Sequence, residues 1–262
     1  MIDSIQFIGG GNMGAAIVAG MVRAGQSPET ITIVETNPDR RHALVGMVPG
    51  VVIVDEPRTC ASGVVAVKPA GAVDACRALA EHGASRVLSI AAGIGVEPLQ
   101  RAAGASCAVV RAMPNTPAMV GEAVSAITGS ARCAEIDLAW AESVLGTVGT
   151  VVRVPEHQMD AVTAVSGSGP AYVFLLAEAL VAAGIDQGLD PQDADELVRQ
   201  LLVGAARLLR ESPERPDVLR MRVTSPHGVT ERAIATLESA GFRDAVKGAV
   251  AAAVSRSEEL GR

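Results

Sequence analysis

The stretch Ile5-Gln6-Phe7-Ile8-Gly9-Gly10-Gly11-Asn12-Met13-Gly14 decides how this chain is read. A short apolar run ends at Ile8, three glycines follow, and an apolar stripe at helical spacing runs from Gly14 to Ala24. Gly9, Gly11 and Gly14 occupy the three slots of a G-x-G-x-x-G turn between a predicted strand and a predicted helix. In that setting Gly9 allows the tight turn, Gly11 lets backbone approach a pyrophosphate, and Gly14 lets helix and strand touch. A ligand-free glycine turn has the same local pattern, so the rest of the chain must decide.

Working outward, Ile31 to Val34, Val51 to Val54, Val64 to Val67, Val87 to Ile90 and Ala108 to Val110 are further Val- and Ile-rich runs. A helix starting at Asn37-Pro38-Asp39 and reaching Met47 separates two of them. Short apolar runs bounded by Gly and Pro and alternating with helices indicate parallel strands covered on both faces. The predicted fold is α/β, a Rossmann-type doubly wound sheet. After Arg153 the character changes: Ala and Leu dominate long segments, and helices are predicted near 156–166, 170–184, 191–211, 228–240 and 243–260. Breaks are expected at Ser166-Gly167-Ser168-Gly169-Pro170, Gly184 to Pro191, Ser212 to Pro216 and Gly241. The expected domains are therefore 1–155, dinucleotide-binding, and 156–262, all-helical.

Composition narrows the function classes. Of 262 residues, 49% are apolar and 19% charged, which excludes a disordered chain. The 27 glycines show no three-residue period. A net charge of −7 and an aromatic share of 2% speak against nucleic acid as a partner. Cys60, Cys76, Cys107 and Cys133 form no CxxC pair and His42, His82, His157 and His227 lack ligand spacing, so no metal site is expected. Apolar stretches such as Ala171 to Ala177 fall short of a membrane span, and Met1 to Ile5 carries no basic leader pattern. Unpaired cysteines fit a reducing cytoplasm, which is the expected compartment.

The end of the second predicted strand bears on cofactor choice. Glu35 stands where an acid would hold the ribose of NAD, yet Thr36, Asn37, Arg40 and Arg41 would suit a 2′-phosphate. The two signals conflict. Lys68 is one of only two lysines among 22 basic residues and sits at a strand end, where such sheets bind ligands.

Four more stretches follow in order: Ala66-Val67-Lys68-Pro69, Ser89-Ile90-Ala91-Ala92-Gly93, Arg111-Ala112-Met113-Pro114-Asn115-Thr116-Pro117, and Ala164-Val165-Ser166-Gly167-Ser168-Gly169-Pro170-Ala171-Tyr172. With Val223-Thr224-Ser225-Pro226-His227-Gly228-Val229-Thr230 they make the chain resemble the pyrroline-5-carboxylate reductases over nearly its whole length. The resemblance implies reduction of 1-pyrroline-5-carboxylate to L-proline, usually with NADPH, although NADH is possible. It also implies a helical dimerisation domain, a homodimer and often a decamer. The cofactor would then meet Ile8, Gly9, Gly11, Asn12, Met13 and Gly14 in the first turn, and Thr36 after the second strand. Ala66, Val67, Lys68 and Pro69, then Ala91 and Ala92, and Asn115 between its two prolines, complete that expected set. His227 and Val229 depart from the family, which usually has glycine and often threonine there.

A cyclic iminium already accepts hydride, so catalysis can rest mainly on positioning. Ser225-Pro226 precedes the apolar-striped segment Ala233, Ile234, Leu237, and a helix start there would offer backbone N–H groups to a carboxylate. Gly228, Val229 and Thr230 are expected to bind the substrate carboxylate, with Ser225 in the same loop and the Thr230 hydroxyl near the ring nitrogen. Arg220 and Arg222 just upstream are either surface charges or phosphate ligands. The helices 170–184 and 191–211 are apolar around more than one stripe. That predicts burial against a second copy, with the helical domain of one chain completing the cleft of another. Two other readings stay open: a β-hydroxyacid dehydrogenase, for which only Lys247 offers a helical-half lysine, and a noncatalytic NADP-sensing protein.

Overall fold

Val, Ile and Phe resist helix and pack well on a pleated surface, and they set the strands of this protein. The computed structural model describes residues 4–261. The order runs β1 (Ile5–Ile8), α1 (Asn12–Arg23), β2 (Ile31–Val34), α2 (Pro38–Met47), β3 (Val52–Val54), β4 (Ser62–Val65), α3 (Ala72–Glu81), β5 (Arg86–Ser89), α4 (Val96–Ala103) and β6 (Ala108–Met113). Then come β7 (Ala123–Gly129), α5 (Glu135–Leu145), β8 (Gly149–Arg153), α6 (Met159–Val162), α7 (Gly169–Asp186), α8 (Pro191–Glu211), α9 (Pro216–Arg222), α10 (Val229–Ser239) and α11 (Phe242–Leu260).

The eight strands form one sheet in the order β3-β2-β1-β4-β5-β6-β7-β8. All neighbours are parallel except β6 and β7. The strand order reverses between β1 and β4, the crevice where doubly wound sheets bind ligands. Successive strand residues point to opposite faces. Val64, Leu88 and Val110 therefore pack under α1, α2 and α5, while Val65, Val87 and Val109 pack under α3 and α4.

Three expectations are corrected. β7 and β8 lie outside the predicted strands, because Ala, Ser, Thr and Gly carry much of them and give little periodic signal. β4 ends at Val65, so Ala66 and Val67 leave the sheet rather than extend the strand. The break expected at Ser166 to Pro170 is a wide helical turn, Thr163–Gly167, in which the Ser168 amide reaches the Thr163 carbonyl at 2.8 Å. Pro170 sits two residues into α7, where its missing N–H costs little. The result is a continuous helical run, Glu156–Asp186, that is long and apolar enough to cross a membrane by length and composition. Joining across the expected break creates a span that the separate apolar stretches did not suggest.

Two compact units emerge. One comprises the chain up to Ser168 with the last turns from Ala253, and the other is Gly169–Ala252. The sequence places the boundary at 155/156, whereas the contacts place it after Ser168. Glu156 explains the shift: its Oε1 accepts from the Arg111 guanidinium at 2.6 Å and from the Val96 amide at 3.1 Å. The end of α11 belongs to the same unit, since the buried Ser257 hydroxyl donates to Asp160 Oδ1 at 2.6 Å. In the second unit α7 and α8 pack on each other, yet α7 has no buried residue and α8 buries only Ala194 and Val198.

Candidate functional site

The site is built on the first βα turn. The Gly9 amide donates to the Val34 carbonyl at 2.8 Å and the Ala66 amide to the Ile8 carbonyl at 2.8 Å, so the turn hangs between two parallel neighbours. Gly9 has φ +105°, and a Cβ there would lie 2.5 Å from the Ala66 oxygen. Only glycine fits. A Cβ on Gly14 would lie 2.9 Å from the Gly9 oxygen, which is the close helix–strand approach the sequence predicts. Gly11 differs. A Cβ there would meet nothing within 4 Å, so the open side of the turn faces free space. Gly11 also caps α1 without a side-chain hydrogen bond, leaving the first-turn amides available to an anion.

That space is a cavity of about 890 Å³, lined among others by Ile8, Gly9, Gly11, Asn12, Met13, Thr36, Ala66, Val67 and Lys68. Nine of the predicted cofactor residues thus come together, and Glu35, Asn37, Arg40 and Ile90 join them. Val34 is a further lining residue that sequence reasoning did not single out. As the last residue of β2 it was findable from the strand boundary. Lys68 is exposed on this lining and has no ion-pair partner among the described residues.

Five predicted cofactor residues do not line the cavity. Gly14 is buried against the turn, Pro69 starts a short 3₁₀ turn outside it, and Ala91 is buried while Ala92 is exposed after β5. Asn115 is engaged elsewhere. Its Nδ2 donates to the Ser166 carbonyl at 3.1 Å and its Oδ1 accepts from the Val124 amide at 3.0 Å, tying the β6–β7 connection to the wide helical turn.

The conflict at the end of β2 takes a definite geometry. Both Glu35 oxygens accept backbone hydrogen bonds, from Gly10 and from Asn37, each at 3.0 Å. Arg40 donates through Nε to the Gly10 carbonyl at 2.6 Å and through Nη2 to Asn12 Oδ1 at 3.2 Å. Arg41 turns away from the cavity lining, donating to the Glu35 and Thr36 carbonyls at 2.8 and 2.9 Å. The cavity therefore carries Arg40 and Lys68 as cations, with amides and glycines between, a donor set suited to phosphates.

In the second unit, α10 is capped by Gly228, which makes no side-chain cap hydrogen bond. The Ser225 carbonyl accepts from the Gly228 amide at 3.0 Å, closing the preceding turn. The Gly228 amide is consequently committed, whereas the amides of Val229 and Thr230 stand in the uncapped first turn. The Thr230 hydroxyl has no hydrogen-bond partner among the described residues, and Val229 is 90% exposed. His227 holds φ +58°, the left-handed region, and its amide donates to Glu231 Oε2 at 2.7 Å. A non-glycine residue there carries about 1–2 kcal/mol of strain. Arg222 pairs with Glu214, while Arg220 lines a cavity of about 620 Å³ with Arg215, Asp217 and Arg243. Lys247 is exposed on α11. No group of three or more His, Cys, Asp or Glu able to hold a metal occurs among the described residues.

Comparison with known proteins adds the family. Residues 156–260 match the family model described as pyrroline-5-carboxylate reductase dimerisation, and residues 4–93 match NADP oxidoreductase coenzyme F420-dependent. A pyrroline-5-carboxylate reductase of Synechocystis is 41% identical over 100% of both chains. Among solved structures, a pyrroline-5-carboxylate reductase of Coxiella burnetii aligns with a TM-score of 0.93 at 35% identity, covering 99% of each chain. A Plasmodium falciparum pyrroline carboxylate reductase with NADP bound aligns with a TM-score of 0.85 at 27% identity, covering 99% of this chain and 98% of that one. A glycine turn open on its Gly11 side, a helical half that matches the dimerisation model and full-length similarity agree on one conclusion: the chain belongs to the pyrroline-5-carboxylate reductase family.

Proposed function

We propose that this protein is an NADPH-dependent reductase that converts 1-pyrroline-5-carboxylate to L-proline, the closing step of proline biosynthesis. The observation that carries the reading is the open face of Gly11 above the uncapped start of α1, in a chain similar to such reductases from end to end. When bound, the dihydronicotinamide supplies the hydride that the C=N carbon of the substrate accepts. The protein's own contribution is to bind and orient. The first-turn amides of α1 take the pyrophosphate. Thr36, Asn37 and Arg40 take the 2′-phosphate, which favours NADPH over NADH because Glu35 already holds two backbone amides. The amides of Val229 and Thr230 hold the substrate carboxylate, Gly228 keeps their approach bare, and the Thr230 hydroxyl hydrogen-bonds the ring nitrogen as its electron pair develops.

The working form is a homodimer, with a decamer as the larger assembly. The apolar face of α7, with Phe174 62% and Leu175 65% exposed, supports burial against a second copy rather than in a membrane. Four free cysteines, three of them buried, support a reducing, cytoplasmic setting. The test is the initial rate of proline formation with each reduced dinucleotide in turn. NADPH is expected to give the higher kcat/KM. Dinucleotide binding with no turnover would leave a noncatalytic sensor, and turnover confined to hydroxyacids would leave a dehydrogenase.

A further inference from the structure

We infer that Glu35 is a positioning residue that, together with Arg40, grips the Gly10 peptide and holds the pyrophosphate turn in shape, and that it is not the ribose ligand its place after β2 suggests. The inference rests on the reading above that a nicotinamide dinucleotide occupies the cleft.

Both ends of the Gly10 residue are held by side chains from far along the chain. Its amide donates to Glu35 Oε2 at 3.0 Å, and its carbonyl accepts from Arg40 Nε at 2.6 Å. The remaining Glu35 oxygen accepts from the Asn37 amide at 3.0 Å, which locks the carboxylate to its own strand end. Arg41 braces the same segment through the Glu35 and Thr36 carbonyls. Arg40 extends the grip into α1 through Asn12 Oδ1.

The packing agrees with the hydrogen bonds. Gly10 is buried, and a Cβ on it would collide with Leu44 and stand 3.3 Å from Glu35 Oε2 and from Ile33 Cγ2. That side of the turn is sealed against β2 and α2, while the Gly11 side is open. The turn therefore takes its shape from the second βα unit, and its amides stay aimed at the cavity because Glu35 and Arg40 pull on the peptide between them. Preorganised donors of this kind lower the ordering cost of binding a phosphate.

Each Glu35 oxygen keeps a second lone pair, and the two roles are separable by experiment. A ribose ligand discriminates between cofactors: its removal weakens NADH and spares or strengthens NADPH. Loss of a clamp on the shared pyrophosphate turn weakens both cofactors. Direct binding of NADPH and NADH is measured by dihydronicotinamide fluorescence for wild type, Glu35→Ala and Glu35→Gln, beside cofactor-free melting temperature and steady-state kinetics.

The clamp predicts that Glu35→Ala weakens both dinucleotides, on the scale of about tenfold, for two amides left without acceptors. Glu35→Gln keeps one acceptor oxygen and is expected to recover part of that loss at the wild-type melting temperature. In both variants KM for each cofactor rises while kcat at saturation is retained. NADPH affinity that is kept or raised in Glu35→Ala while NADH affinity falls overturns the inference and leaves the cleft assignment intact. Wild-type protein that binds neither dinucleotide overturns the cleft assignment and the inference together.

Discussion

Arg111, 5% exposed in the middle of the sheet, donates from its guanidinium to Glu156 Oε1 at 2.6 Å, and the same oxygen accepts from the Val96 amide. One carboxylate thus anchors the start of the long helical run to β6 and α4. The Arg111 side chain is 7% exposed and that of Glu156 37%, so removing the carboxylate leaves a buried guanidinium uncompensated, with water at the Glu156 end softening the loss. Glu156→Ala is expected to lower the stability of the first unit by about 2 kcal/mol. Trp140 is the single tryptophan and is buried in that unit, so urea denaturation followed by its fluorescence reads the change. An unchanged midpoint would show that the pair is dispensable.

The glycines of the first turn should divide by mechanism. Gly9→Ala meets both a positive φ and the Ala66 oxygen, and is expected to cost roughly 2 kcal/mol or more of stability. Gly11→Ala meets no atom, so its melting temperature should match wild type while NADPH affinity falls at least about tenfold. Equal losses of stability in the two variants would contradict this division.

Thr230 carries the substrate prediction. Its unpartnered hydroxyl stands in the uncapped first turn of α10. Thr230→Ala should leave folding intact and lower kcat/KM for pyrroline-5-carboxylate about tenfold, the worth of one hydrogen bond to a charged group. A kcat/KM within about twofold of wild type would remove Thr230 from the site.

The assembly prediction rests on α7. Phe174→Glu places a charge on its exposed apolar face, at a side chain 62% exposed. In sedimentation the wild type should appear as a multiple of the chain mass and the variant should shift toward the single chain. A wild type that sediments as a monomer at every concentration, with full activity, would end the oligomer reading.

The buried thiols predict an alkaline limit. Burial pushes Cys76 up to about 12, with Cys107 adding to the effect, and pushes Cys107 up to about 11. Both start from an ordinary value of 9.0 in the unfolded chain. The folded protein holds these protons more tightly, so their contribution to stability is whole below pH 9 and is lost as pH rises through 11 and 12. Denaturation midpoints measured from pH 8 to 11 should fall only above 9. Alkylation of both thiols at pH 8 should require unfolding.

Much of the site was legible before the fold was known. Gly9, Gly11 and Gly14 declare themselves because their roles are steric and lie within six residues of one another. Lys68 stood out because arginine fills nearly every other basic position. Asn115, flanked by prolines, reads as a cleft wall, and only the fold shows that both ends of its amide are used by Ser166 and Val124. Ser225 lies in the turn ahead of α10, whose cap falls where the sequence places the helix start, at Gly228.

The sequence by itself determined the alternation of strand and helix, the glycine turn, the change of character after Arg153 and the family, because these depend on side-chain periodicity and on backbone sterics between near neighbours. Only the tertiary structure decided that Glu35 and Arg40 seize Gly10, that Glu156 stays with the sheet, and which amides at α10 remain free. Those outcomes depend on which of several competing donors and acceptors, 25 to 45 residues apart, packing brings within 3 Å. No local pattern encodes that choice.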